Sequence, residues 1–290
     1  MTAEADITGR GVQSIEVGGR VLAAMATAGR PLMLRDIAQA ADLASAQAHA
    51  YLVSFRKIGL VEQAEGSALY QLGPFALQLG LARMRSVDAL RLATVAAPAL
   101  AAELGLMVTV TVWGSLGATV VQVNEAGDQV HVNLRAGTVY TLLHTATGRV
   151  FAAFLSPEIV EAHLAKAKAF AGLLEPENAE PSATLWAEVE ETRARGYSRA
   201  TGSPIPGVNA LAAPVFDHTG ELKLALTAIG PSRLVDVSKE SAQARRLTAF
   251  ARDLSTELGF RAPSVSLTIS PPSPPARTEA RPRGGTRLPR

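Results

Sequence analysis

Residues 12–72 constrain the fold more than any other stretch. Three helical periodicities and two strand-like runs follow one another there, with a breaker at every junction. Over 12–28, Ile15, Val21, Leu22 and Met25 recur at roughly helical spacing, and Gly29-Arg30-Pro31 ends the run. Residues 34–40 form a second, short helical period with Leu34, Ile37 and Ala41 on one face. Asp42-Leu43-Ala44 reads as the turn, and Ser45 as the cap of a third helix reaching Ile58. Gly59 stands where a left-handed C-cap is wanted. Residues 60–63 and 68–72 then read as a hairpin around Glu65-Gly66-Ser67. Three helices and a hairpin make a winged helix-turn-helix.

The rest of the chain has a different rhythm. Residues 75–87 are a helical connector bearing Arg83 and Arg85. Residues 90–104 are helical but contain Pro98, which predicts two pieces. Strand patterns cover 107–113, 118–124 and 130–134, and helices cover 146–155, 157–169 and 184–195, the last ended by Gly196. Strands 210–216 and 222–229 flank the turn at Asp217–Gly220, and 237–258 is a closing helix. This order predicts an α+β domain, an antiparallel sheet covered by helices. The expected organisation is a winged helix-turn-helix at 9–74, a helical connector at 75–88, a second, sheet-and-helix domain at 89–260 and a Pro/Arg-rich disordered tail at 261–290. Residues 1–8 are expected to be disordered as well. With 48% hydrophobic residues the chain can bury sizeable cores, and scarce aromatics mean these are built of Ala, Leu and Val. No cysteine is present, so disulfides, thiolate metal sites and cysteine nucleophiles are excluded. Neither a signal peptide nor a membrane span is legible, which predicts a cytoplasmic protein with no membrane partner.

In a helix-turn-helix the second helix of the motif lies in the major groove, and its N-terminal residues meet the bases. A helical wheel of residues 45–58 buries Ala48, Leu52 and Phe55, with Tyr51 beside them. Ala46, Gln47, His49 and Ala50 face outward or lie on the flanks. The Gln47 amide is able to pair with adenine, His49 to donate to a base or phosphate, and Ala46 or Ala50 to pack on a thymine methyl. Ser45 and the helix N-terminus suit a phosphate, as do Arg56 and Lys57 at the far end. Arg10, in a flexible arm, is placed either to enter a minor groove or simply to be solvated. Against these contacts stands the charge: residues 1–75 carry six Lys or Arg against seven Asp or Glu, without the basic footprint usual for DNA binders. The alternative is a winged helix used only for dimerisation or partner contact. The tail 261–290 carries six Arg against one Glu and either adds nonspecific DNA attraction or is inert.

The second domain offers a binding site but no catalytic one. Thr145-Ala146-Thr147-Gly148 places two hydroxyls and the backbone N–H groups of a helix start together, an acceptor for an anion or a carbonyl. Helix capping by the two threonines is the competing role. Trp113 is a candidate flat wall or plain core, and His144 and Asn209 are candidate polar contacts. The five histidines, His49, His131, His144, His163 and His218, show no ligand spacing, so no metal is expected. Trp113-Gly114-Ser115-Leu116-Gly117 lacks the first glycine of a nucleophile elbow, and neither a Walker loop nor a dinucleotide fingerprint occurs. No cofactor and no enzymatic activity are expected.

The runs RGVQSIEVGGRVLAAMATAGRPLMLRDIAQAADL, AHAYLVSFRKIGLVEQ, YQLGPFALQLG, TATGRVFAAFL, RARGY and PGVNALAAPVFDHTGELKLALTAIGP, in that order, resemble IclR-type transcriptional regulators from about Gly9 to Phe260. The resemblance implies a winged-helix DNA-binding domain, a linker helix and a GAF-like effector domain. It also implies dimers or tetramers acting on double-stranded operator DNA near catabolic operons, in response to a small organic effector. Two departures bear on function. Related sequences place Lys and Arg where Gln47 and Ala50 stand, so the expectation is weaker or more salt-sensitive DNA binding than is usual for such proteins, or a compensating role for the arm and the tail. Where relatives carry an acidic residue and a cysteine, this chain has Ala200 and Ala210, near Val208 and Asn209. A larger or more apolar effector, aromatic ones included, fits better than a two-to-four-carbon acid.

Overall fold

The computed structural model describes residues 11–64, 66–126, 134–169, 183–239 and 241–261. The candidate Arg10, most of the strand expected at 130–134 and the expected disordered ends at 1–8 and 262–290 lie outside them.

The first part is built from α1 (Gln13–Ala28), β1 (Leu32–Met33), α2 (Leu34–Ala40), α3 (Ser45–Lys57), β2 (Val61–Gln63) and β3 (Leu69–Leu72). α1 stops at Gly29, whose φ of 62° places it in the left-handed region that ends a helix cheaply only for glycine. The turn after α2 also uses a left-handed residue, Asp42 at φ 54°, and the Leu43 N–H closes it by donating to the Ala38 carbonyl. The cap expected of Ser45 is not made. Ala44 is the extended residue before α3, no side chain caps it, and Ser45 is already inside the helix. Val21, Met25, Leu32, Ile37, Leu52, Val61 and Tyr70 form one core, and the strands pair antiparallel in the order β1-β3-β2. β1 was not legible in the sequence, because two residues are too short to show alternation.

α4 (Pro74–Ser86) follows, with Pro74 at its first turn where a missing N–H costs nothing. None of its residues is buried. Phe75, Leu77, Leu79, Leu81 and Met84 are all exposed, as are Val12 and Ile15 at the start of α1.

The second part is a six-stranded antiparallel sheet of β4 (Met107–Gly114), β5 (Gly117–Asn124), β6 (Val139–Tyr140), β7 (Ser198–Thr201), β8 (Val208–Phe216) and β9 (Leu222–Pro231), in the order β6-β5-β4-β9-β8-β7. Its residues alternate between two cores, as the period of two requires. On one face Val108, Val110, Leu211, Leu224 and Leu226 pack against α5 (Ala89–Leu104) and α9 (Ala242–Glu257). On the other, Ala118, Ala200, Ala212, Ala225 and Ile229 meet α6 (Ala146–Phe154), α7 (Pro157–Ala169) and α8 (Ala183–Arg195).

The two pieces expected around Pro98 are one helix. Proline cannot donate to the carbonyl four residues back, which is that of Thr94. The Gln122 side chain from β5 takes the place of that donor, with Nε2 3.2 Å from Thr94 O. α9 also begins later than expected, at Ala242. There the Ser241 hydroxyl accepts the Ala244 N–H and fixes the start. Among the described residues no helix is long and apolar enough to cross a membrane.

Candidate functional site

α3 presents a defined outer face. Ala48 and Leu52 are fully buried, while Ser45, Ala46, Gln47, His49, Ala50, Arg56 and Lys57 are all exposed. Phe55 and Tyr51 sit between, ring centroids 6.3 Å apart, and cover Gly18 of α1. The face therefore reads, from its N-terminal end, as hydroxyl, methyl, amide, imidazole and methyl, with two cations only in the last turn.

The second site is a cavity of about 200 Å³ on the α6 side of the large sheet. Its floor is made of small residues: Ala200 pairs directly with Ala210 across β7 and β8, and Ala210 pairs with Ile229 of β9. The two alanines side by side leave space that larger side chains would fill, with Ile229 at its edge. Thr145, Ala146 and Thr147, at the start of α6, form one wall, and Val139 and Tyr140 of β6 another. Pro204 and Ile205, from the loop between β7 and β8, and Val208, the first residue of β8, close it.

The hydroxyls of Thr145 and Thr147 have partners, while the Thr141 Oγ1 beside them is buried without one among the described residues. Thr145 caps α6, its Oγ1 accepting the Gly148 N–H at 2.9 Å and donating to Thr141 O at 2.8 Å. Thr147 does not cap; its Oγ1 lies 2.8 Å from that of Thr227 on the sheet. Burial, outweighing hydrogen bonds with Thr109 and Thr147, pushes the Tyr140 hydroxyl up to about 12, so it stays protonated.

Of the candidates drawn from the sequence, Thr145, Ala146, Thr147, Ala200, Val208 and Ala210 come together on this cavity. Gly148, His144, Trp113 and Asn209 do not line it. Gly148 is where α6 packs tightest: a Cβ there would run into the carbonyl oxygens of Thr141 and Leu142. Trp113 packs at a tilt against Phe151, ring centroids 5.6 Å apart, and meets the His163 ring edge-on at 5.1 Å, as part of the core. Asn209 is buried and acts as a latch. Its Oδ1 accepts the Gly202 N–H, and its Nδ2 donates to Val235 O at 3.0 Å. His144 lies half-buried on the segment before α6.

Sequence reasoning missed Tyr140, Thr227, Ile229 and Ile205, which no motif marks. It also missed Arg149, a buried cation inside the apolar helix ATGRVFAAF. An arginine flanked by apolar residues on every side of a helix was the available signal.

An exposed helix-turn-helix face and a cavity-bearing sheet domain on one chain are the plan of a transcriptional regulator. Residues 14–65 match the IclR helix-turn-helix domain, and residues 82–256 match the bacterial transcriptional regulator IclR C-terminal domain. The chain belongs to the IclR family, whose members regulate transcription and are not enzymes. It is 30% identical over 247 residues to the glycerol operon regulatory protein of Streptomyces coelicolor, covering 84% of this chain and 94% of that one. It is 31% identical to the protein of the same name from Streptomyces griseus, over 84% and 94% of the two chains. Among solved structures it resembles Pseudomonas aeruginosa HmgR, with a TM-score of 0.77 and 35% identity over 86% of this chain and 99% of that one.

Proposed function

We propose that the chain regulates a catabolic operon as a homo-oligomer, with residues 9–74 as the DNA head, 75–88 as the linker, 89–260 as the sensor and 261–290 as a tail. The exposed outer face of α3 carries the reading. Gln47 and His49 meet base edges, Ser45 meets a phosphate at the helix start, and Arg56 and Lys57 meet phosphates at its end. Two relatives named for a glycerol operon support a catabolic target.

The effector is an organic molecule of about one ring, held against aliphatic walls with an acceptor oxygen at the start of α6. An apolar cavity of about 150 Å³ suffices for benzene, and this one is about 200 Å³. Its lining of Leu134, Val139, Val208 and Ile229 suits an aromatic or branched body better than a polyol. Effector binding shifts operator affinity by its differential affinity for two arrangements of the heads. α4 is the element between head and sensor, and Arg83 Nη2 reaches Glu257 O at the end of α9 at 3.4 Å. The exposed apolar side of α4 formed by Leu77, Leu81 and Met84 is where a second copy packs.

The test is fluorescence anisotropy on the chain's own upstream DNA against scrambled DNA, across salt. Sequence-dependent binding that Gln47→Ala with His49→Ala weakens by about 1–3 kcal/mol per lost base contact is the expected result. A second reading rests on the methyl groups of Ala46 and Ala50 at the reading face: a sensor that keeps the winged helix without specific DNA recognition. Equal, weak binding to both DNAs would establish it.

A further inference from the structure

Arg149 is the most deeply buried cation among the described residues, with 4% of its surface exposed. It sits in the first half of α6 and spends its donors on three separate stretches. Nη1 donates to Leu143 O at 2.9 Å and lies 3.0 Å from Glu188 Oε2 of α8. Nη2 donates to Arg199 O at 2.6 Å, and Nε lies 3.4 Å from Ser198 Oγ.

The addresses of these partners matter. Leu143 lies between Thr141 and Thr145, which both line the cavity. Arg199 adjoins Ala200, which forms its floor. α6 itself supplies Ala146 and Thr147. One planar fork therefore ties the segment before α6, strand β7 and α6 together at the back of the cavity, with the carboxylate of α8 behind it. A guanidinium can span two carbonyls and a carboxylate because its N–H groups diverge in a fixed plane; an ammonium on a flexible stem cannot. The buried charge needs its partner as well, since desolvation works against it and Glu188 works for it.

We propose that Arg149 is a positioning residue for effector binding, fixing the separation of the Thr141–Thr145 wall from the Ala200 floor, with Glu188 holding the guanidinium in place. This rests on the reading of the cavity as the effector site. The residue touches no ligand; it acts through the backbone carbonyls of Leu143 and Arg199.

Toluene is a suitable probe, because it reports the shape of an apolar cavity whatever the natural effector is. Its affinity is measured by methyl NMR titration on the full chain and on four variants. Arg149→Met is expected to weaken toluene about tenfold, and Arg149→Lys and Glu188→Gln about threefold each. Arg193→Met is the control. Arg193 Nε donates to Ala153 O at 2.8 Å, so it joins the same two helices but at the far end of α6. It is expected to lower Tm while leaving toluene affinity within about twofold. If Arg149→Met does not fold, Arg149→Lys and Glu188→Gln decide the matter.

The proposal is overturned if the Arg149 and Glu188 variants bind toluene as the unaltered chain does. It is equally overturned if Arg193→Met weakens toluene as much, or if the unaltered chain takes up none. Release of operator DNA by effector candidates tests the parent reading separately. Toluene affinity that responds to Arg149 while no candidate releases DNA would show that Arg149 shapes the cavity but would overturn its role in effector binding together with the effector reading.

Discussion

At the scale of single residues, one strong electrostatic feature lies away from both sites, in the β8–β9 turn. Burial pushes the Asp217 carboxyl up, but hydrogen bonds from Thr219 and Lys223 outweigh it and bring it from 3.8 to about 2. A carboxyl depressed in the folded state adds stability above its unfolded value, and that stability disappears as pH falls through the folded one. The turn is thus expected to contribute about 2 kcal/mol at neutral pH and to lose it between about pH 4 and 2. Urea unfolding from pH 7 to 2 checks this. Asp217→Asn should unfold more easily at neutral pH and show a shallower acid limb. The turn itself was legible in the sequence, since Asp and Gly bracket it. The charge network was not, because the ion pair of Lys223, 2.9 Å from Asp217 Oδ2, depends on the hairpin register.

At the scale of elements, the start of α6 carries most of the cavity chemistry, and Gly148 sets how closely it approaches the preceding segment. Helix propensity alone favours alanine over glycine there by about 1 kcal/mol. The Cβ would meet two backbone carbonyls that cannot swing aside, so overpacking decides the sign. Gly148→Ala is expected to destabilise by about 2–3 kcal/mol, read as a lowered Tm, and to reduce toluene uptake. A gain in Tm would show that the segment yields. The order of helices and strands followed from periodicity and breakers, including Gly29, Gly59 and Gly196. The split helix expected at Pro98 failed for a tertiary reason: only the fold brings Gln122 to Thr94. β6 and β7 are short and flank the cavity, where the pattern that makes a strand readable gives way to residues shaped for the space they leave.

At the scale of the molecule, α4 stands with no buried residue and five exposed apolar ones. If a second copy covers it, charge on that face should separate the copies. Leu77→Glu with Leu81→Glu is expected to halve the mass seen in sedimentation and to weaken operator binding. An unchanged mass would place the self-contact elsewhere. The sequence showed the helix but not its solitude, because exposure is decided by what fails to pack against it. The strand order of the large sheet carries one more consequence. β4 completes its pairing only with β9, Thr109 opposite Thr227, whereas the winged-helix core closes between Val21 and Tyr70. Contacts distant along the chain form late, and domains fold as they are synthesised. On the ribosome, the winged helix is finished while the C-terminal domain is still an open half-sheet.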